Sequence, residues 1–356
     1  MKTKSSIILI LSAFAIFFCI NAIYQTDKFV LVFNNLDANL NWLEIISNSR
    51  SNNTFIFNLV SLFIPFILIS LVEFYQFNGN LIKKLSNISL LKINISEGFK
   101  FADIFYYIFT LLGPKIFLLT RISTLGLVIF NQKYRDFFHN IFQNVIFLNQ
   151  FKGGLLIFIV AVLFADFSKY LGHRMFHKFP ALWDQHEFHH SSTQMIILNT
   201  VRFSVLERPI EAFLVIPFIT VETLILTESI NNNYLAPLIF YVVYQTFSIT
   251  NNYFGHSSKL FVYPKPLSYI FMSPSLHWIH HSSNPDHYDK NFGMIFSFWD
   301  RLFGTYLDES NIKNIPGYGV NKSIYNKYNP FYTYYILPIR LFLKRLYNIR
   351  FFRSSY

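Results

Sequence analysis

The chain has 356 residues, of which 53% are hydrophobic, 20% aromatic and only 14% charged; with a mean hydropathy of +0.34 this excludes an ordinary soluble domain. The net charge of +11 gathers at one end, where residues 311–356 hold eight Lys or Arg and no acid; a cytoplasmic face beside anionic lipid explains that pattern, and no nucleic-acid partner is expected. A lone cysteine, Cys19, excludes a disulfide framework and any Cys-based zinc or iron–sulfur site.

Apolar runs of about 20 residues can cross a bilayer, and several occur. The first, residues 7–20, follows Lys2 and Lys4. No small-residue cleavage site comes after it, so it reads as a retained span rather than a signal peptide. A mixed connector leads to a second span at 55–73. Lys83, Lys84, Lys92 and Lys100 in the next connector are a cytoplasmic signature. Residues 101–130 are broken by Pro114, Lys115 and Arg121, so one span at 104–120 is expected, with an interfacial segment behind it. A fourth span, 153–170, delivers the chain into His173. Residues 209–227 and 234–250 read as a helical hairpin that crosses and returns, which puts the chain on either side of it on one membrane face. Counted from Lys2 and Lys4, that face is cytoplasmic. Residues 265–306 read as short helices and loops, and 330–352 as a basic, aromatic-rich amphipathic helix on the membrane surface.

Ten of the eleven histidines are clustered on that face. His173 and His177 are spaced H-x-x-x-H; His186, His189 and His190 are spaced H-x-x-H-H; His277, His280 and His281 repeat the second pattern, with His256 and His287 on either side. Only His139 stands apart, and it reads as a core residue. Positions i, i+3 and i+4 share a helix face, so each cluster is expected to point its imidazoles one way. Neutral imidazole suits iron, zinc and copper. The number exceeds what one four-coordinate zinc needs and fits two metal ions with four or five ligands each. Iron activates oxygen and zinc does not, so two His-ligated irons beside a lipid-sized cavity would attack an unactivated C–H bond.

Other classes stay open at this stage. A His-rich membrane metal transporter or metal-binding protein is the main alternative, although transporters place ligands near the bilayer midplane between broken helices, whereas these follow the spans. A zinc hydrolase is formally allowed, because His186-Glu187-Phe188-His189-His190 meets H-E-x-x-H; the surplus histidines and the distal copy fit two metals better. His287 stands between ligand and entrance residue. Histidine ligands need an acceptor behind them to fix tautomer and orientation. Asp166, two turns before His173 on the same face and costly in a span, is expected to supply one, or else to pair with Lys169 or Arg174. Asp289 and Asn291 are further candidates, Asp184 and Glu187 read as solvated neighbours, and Trp299-Asp300-Arg301 reads as structural. No H-P-G-G haem-binding segment and no G-x-G-x-x-G is present, so electrons are expected from a separate donor.

The three histidine clusters, in this order around a helical hairpin, resemble the fatty acid hydroxylase superfamily of membrane di-iron enzymes, which includes sterol desaturases, sterol methyl oxidases, sphingolipid hydroxylases and alkylglycerol monooxygenase. Its bacterial members are similar also at Asp166-Phe167, Tyr170, His173-Arg174, Leu182-Trp183, His189-His190-Ser191, Ser273-Pro274, His280-His281-Ser282, Asp289-Lys290-Asn291-Phe292-Gly293 and Trp299 to Thr305. The likeness covers about residues 155–306 and does not specify a substrate. It implies that His173, His177, His186, His189, His190, His256, His277, His280 and His281 are iron ligands. It also implies two irons, O2 as co-substrate, a lipid substrate (fatty acyl, sterol or related) and a cytochrome b5- or ferredoxin-like donor. Fatty acid 2-hydroxylases carry a second H-x-x-x-H where this chain has His256 and Leu260, so one ligand is lacking on that pattern, and His287 or water is expected in its place. The whole reads as an all-α, polytopic helical membrane protein with a cytosol-facing His-rich metal-binding cap: residues 1–150 an N-terminal transmembrane region, 151–306 a hydroxylase-like catalytic domain and 307–356 a basic amphipathic membrane-surface tail. The expected location is the bacterial inner membrane, or the endoplasmic reticulum in a eukaryote.

Overall fold

The computed structural model describes residues 155–211, 213–214, 244, 247–248, 251–256, 263–329 and 331–348, with a few positions between 67 and 82. The expected spans at 7–20 and 104–120, most of those at 55–73, 209–227 and 234–250, and also His139, Cys19 and Leu260, lie outside the described residues. What is described is helical, with two isolated bridges, Phe271 to Phe296 and Ser282 to Tyr318, and no strand.

Helix α1 (Leu155–Lys178) runs into α2 (Pro180–His190) through a single residue. Phe179 is extended at φ −98° and ψ 124°, as a residue before proline prefers. Pro180 then opens α2 where its missing N–H removes no helical bond. The Phe179 carbonyl accepts from Leu182 N and Trp183 N at 2.9 and 2.8 Å, which folds α2 back beside α1. Among the described residues no helix is long and apolar enough to cross a membrane. In α1, where a span at 153–170 was expected, Asp166, Lys169 and Arg174 interrupt the apolar run; Ile159, Val160 and Phe164 are exposed on its N-terminal half.

Asp166 is fully buried and does not serve a histidine, contrary to the sequence expectation. Its carboxylate accepts from Ile295 N at 3.1 Å, Phe296 N at 3.2 Å and Trp299 Nε1 at 3.1 Å. Two backbone N–H groups, those of Ile295 and Phe296, and the indole N–H of Trp299 need an acceptor there, and buried donors do not go unpaired cheaply.

The rest is short elements, as expected for 265–306: α3 (Lys265–Ile270), α4 (Pro274–His280), a 3-10 turn (Pro285–His287) and α5 (Phe298–Leu302). Two further 3-10 turns, Glu309–Asn314 and Ile324–Asn326, precede a π turn (Tyr332–Ile336) that continues into α6 (Leu337–Asn348). The two helices that carry the H-x-x-H-H clusters are backed by apolar residues. Behind α2, Phe188 packs with Val205, Tyr325, Tyr334 and Leu337; behind α4, Leu276 and Ile279 pack with Met272. The C-terminal segment is thus built onto α2. Arg345 holds Asp184 with two bonds of 2.7 and 3.1 Å, and Gln185 Nε2 donates to Pro338 O at 3.1 Å. Asp184 is therefore a buried tie between helices, where a solvated neighbour was expected.

Candidate metal centre

Nine histidines collect in two adjoining groups. His173, His177, His186, His190 and His280 form one; His189, His256, His277 and His281 form the other, and within each group the ligand nitrogens lie within 4.8 Å of one another. The stacked rings of His190 and His281, with centroids 4.2 Å apart, join them. All nine residues that the resemblance implied are here, but the two H-x-x-H-H clusters do not each point one way. In α2, His186 and His190 enter the group of five and His189 the group of four. In α4 the split is reversed: His277 and His281 enter the group of four and His280 the group of five. At about 100° per residue, positions i and i+4 differ by only about 40° around the helix, whereas i+3 and i+4 differ by about 100°. Neighbouring rings thus reach two different centres. His287 is in neither group. It is buried, with Nε2 3.4 Å from Asn284 Nδ2 and no partner at Nδ1.

Four of the outer nitrogens of the group of five are held from behind. His173 Nδ1 lies 3.0 Å from Phe292 O and His280 Nδ1 2.7 Å from Lys290 O. His177 Nδ1 lies 3.3 Å from Asp289 Oδ1, and His186 Nδ1 2.6 Å from Glu207 Oε1. Three of these four acceptors come from one loop, 289–292. Its shape needs left-handed backbone at Asp289 (φ 56°) and Asn291 (φ 58°), a region that Asp and Asn tolerate better than most residues. The Asn291 side-chain hydrogen bonds go to backbone and not to a histidine. Asn291 pins the loop, donating to Leu276 O and Leu307 O at 3.3 and 3.0 Å and accepting from Leu307 N at 2.8 Å. Asp300 accepts from Phe292 N and Gly293 N at 2.7 and 2.8 Å, the structural role expected of it. A Cβ on Gly293 would stand 2.5 Å from Phe296 O.

In the group of four, His256 Nδ1 lies 2.9 Å from Asn252 O. The His189 ring stacks on Phe203 with centroids 5.0 Å apart.

Sequence reasoning passed over Glu207 and the two backbone acceptors. Glu207 had a signal: a carboxylate beside Arg208 and Pro209 at the mouth of an apolar run, where an idle charge is costly. Lys290 O and Phe292 O had none, because a carbonyl is the same in every residue.

Burial holds His173 and His256 down at about 4, and the other seven rings are also lowered, by burial first and by neighbouring imidazoles after it. Burial also raises the Glu207 carboxyl. The rings are therefore neutral, with one proton each. Where Nδ1 donates to a carbonyl, Nε2 carries a bare lone pair. Yet Nε2 atoms converge: His186 to His190 at 3.1 Å, His177 to His190 at 3.2 Å, His256 to His277 at 3.1 Å and His277 to His281 at 3.1 Å. The buried Nε2 atoms of His173 and His280 have no hydrogen-bond partner among the described residues. Converging lone pairs repel unless a cation lies between them. A buried set made only of neutral imidazoles, five and four, fits a transition metal at each centre and not magnesium or calcium. Glu187, the base that a zinc-hydrolase reading needs, instead accepts from Ser323 Oγ at 2.6 Å.

A cavity of about 240 Å³ opens on both groups, with His177, His190, His280, His281, Trp183 and Asp289 in its wall.

Residues 158–305 match the fatty acid hydroxylase family. Alkylglycerol monooxygenase of Caenorhabditis elegans is 32% identical over 171 residues, 48% of this chain and 31% of that protein. The human alkylglycerol monooxygenase is 29% identical over 192 residues, 53% of this chain and 36% of that protein. Ornithine lipid hydroxylase OlsE of Rhizobium tropici is 28% identical over 151 residues, 42% of this chain and 41% of that protein. The chain thus spans only about a third to two fifths of the length of these relatives. No solved structure matches it.

Proposed function

With residues 158–305 placing this chain in the fatty acid hydroxylase superfamily, we propose that it is a membrane-bound, O2-dependent oxidoreductase that hydroxylates, or desaturates, a C–H bond of a lipid. The observation that carries the reading is the pair of adjoining histidine groups. Those nine residues are the proposed ligands of two iron ions, which when bound supply the oxygen-activating chemistry that no side chain of the twenty can provide. Asp289 and Glu207 hold protons on the outer nitrogens of His177 and His186, keeping the inner nitrogens free to bind metal. Loop 289–292 fixes three rings at once, and the apolar clusters behind α2 and α4 resist their displacement. The centre lies on the cytoplasmic side of a multi-pass protein, and a separate cytochrome b5- or ferredoxin-like protein delivers electrons. That two relatives are named for an alkylglycerol and an ornithine lipid supports a lipid substrate with a polar head.

Iron content and single-turnover oxygen consumption, measured on anaerobically reduced, detergent-purified protein, test this reading. Two irons per chain with lipid-dependent oxygen use support it, and lipid extracts are then searched for a product heavier by one oxygen. Tightly bound zinc, inert to oxygen after iron reconstitution, moves the protein to a structural or transport role.

A further inference from the structure

An amphipathic helix, as expected for 330–352, has one apolar face; α6 has two. On one side Leu337 and Leu341 pack into the cluster behind α2. On that side too, Arg345 and Pro338 are tied to Asp184 and Gln185. At about 100° per residue, Ile339, Leu343, Leu346 and Tyr347 share the opposite face, and all four are exposed. Ile336, exposed at the end of the π turn, extends the stripe by a further turn. Sequence periodicity could not say which of the two faces turns inward.

Scattered exposed apolar residues are ordinary, whereas a continuous stripe marks a surface that something covers. Its edge indicates what. Arg340 and Lys344 stand exposed beside the stripe, and Arg340 Nη1 donates to Tyr332 OH at 3.0 Å, which keeps that cation in place. Arg345 is taken up by Asp184 and faces inward. No acid offsets these charges, since residues 311–356 contain none. A second copy is a poor cover, because a two-fold contact through this face would set Arg340 and Lys344 against their own copies. An apolar stripe edged with cations fits the headgroup boundary of a bilayer that carries anionic phospholipid.

We propose that α6 is a wedge between α2 and the membrane: its outer face lies among the headgroups of an anionic bilayer surface, and its inner face braces the helix that carries His186, His189 and His190. This surface rests on the membrane part of the reading above and is independent of the oxygen chemistry. Asp184, Gln185 and Phe188, which α6 grips, alternate along α2 with the three histidines, so the grip leaves the rings free for metal. Packed helices stand about 8–10 Å apart axis to axis. The wedge therefore holds α2 one helix layer from the lipid.

The test uses the full, metal-loaded chain in lipid nanodiscs of phosphatidylcholine, with or without phosphatidylglycerol. Cys19→Ser removes the single native thiol, and Leu343→Cys, at a position 58% exposed, carries a nitroxide label. Collisions with oxygen, which concentrates in lipid, and with a water-soluble nickel chelate report where the label stands. In discs with phosphatidylglycerol the expected result is loss of nickel access with oxygen access retained. Nickel access is expected to rise when phosphatidylglycerol is left out. The double variant Arg340→Gln/Lys344→Gln is expected to show the same rise in anionic discs, as surface binding weakens about fivefold for each cation removed. High nickel access in every disc, a label shielded from both reagents as between two copies, or a double variant that behaves as wild type overturns the inference. Where the protein stays embedded in the discs, only this inference fails. Protein recovered from the aqueous phase without detergent overturns the membrane reading, and the inference with it.

Discussion

The two histidine groups are built differently. The group of five has four outer nitrogens held from behind, two by carbonyls and two by the carboxylates of Asp289 and Glu207. The group of four has His256 on a carbonyl, while the buried Nδ1 of His189 has no partner among the described residues and its ring rests against Phe203. Carboxylates behind imidazoles raise their basicity and offset the charge of a bound cation. The lesson is that a nearly symmetric exchange of rings between α2 and α4 produces two unlike centres, because what lies behind the rings differs. The five-histidine centre is the one expected to hold its ion tightly, and the four-histidine centre the one with room for a further ligand.

The largest expected effects remove a ring from either side. His186→Ala and His189→Ala both abolish turnover. His189→Ala, which cuts the smaller set to three, is expected to release one ion and leave the other bound, whereas His186→Ala leaves four rings in its group and weakens retention without emptying it. Metal analysis after dialysis separates the two, and a His189→Ala protein with wild-type iron removes that residue from the ligand set.

Next in size is the response of metal-free protein to acid. His173 and His256 are held at about 4, below the ordinary 6.5, so between these values the unfolded chain binds more protons than the folded one. Stability is therefore full above pH 6.5 and falls as the pH drops toward 4, by roughly 2 kcal/mol for each of these two rings at pH 5. Thermal unfolding from pH 7.5 to 5 on chelator-treated protein measures this, and a flat profile contradicts neutral burial of the rings.

Smaller again is the contrast between the anchors. Glu207→Gln is expected to cost about 10–100-fold in affinity for one of the two ions, and Phe203→Leu, behind the other group, much less. Competition against a fluorescent chelator compares them directly; equal losses erase the distinction between the centres. The smallest effect belongs to Asp166→Asn. It leaves one of three N–H donors poorly paired, a loss of about 1–3 kcal/mol that unfolding reports, with metal content unchanged. Loss of metal without loss of stability restores Asp166 as a histidine partner.

Much of the centre was legible in the chain itself. Clustered histidines in an apolar sequence have few other reasons to exist, and the family resemblance they carry implied the nine that meet. Asp289 and Asn291 were marked beforehand because they sit in a motif, though the first holds a ring and the second only holds the loop. Asp166 was misplaced because helical periodicity says which face a residue is on and not what packs against that face. A loop from 129 residues further along supplied its partners. Asp184 was misread for the same reason, since Arg345 lies 161 residues away.

The amino-acid sequence alone determined that the clustered side chains are imidazoles, the short helices that carry most of them and the family that residues 158–305 match, because these depend on residue type and short-range spacing. Tertiary structure alone decided which ring joins which group, that Glu207 and the carbonyls of Lys290 and Phe292 stand behind them, and which face of α6 packs behind α2. Those are contacts between backbone or side chains far apart in the chain, and nothing local in the sequence specifies where they meet.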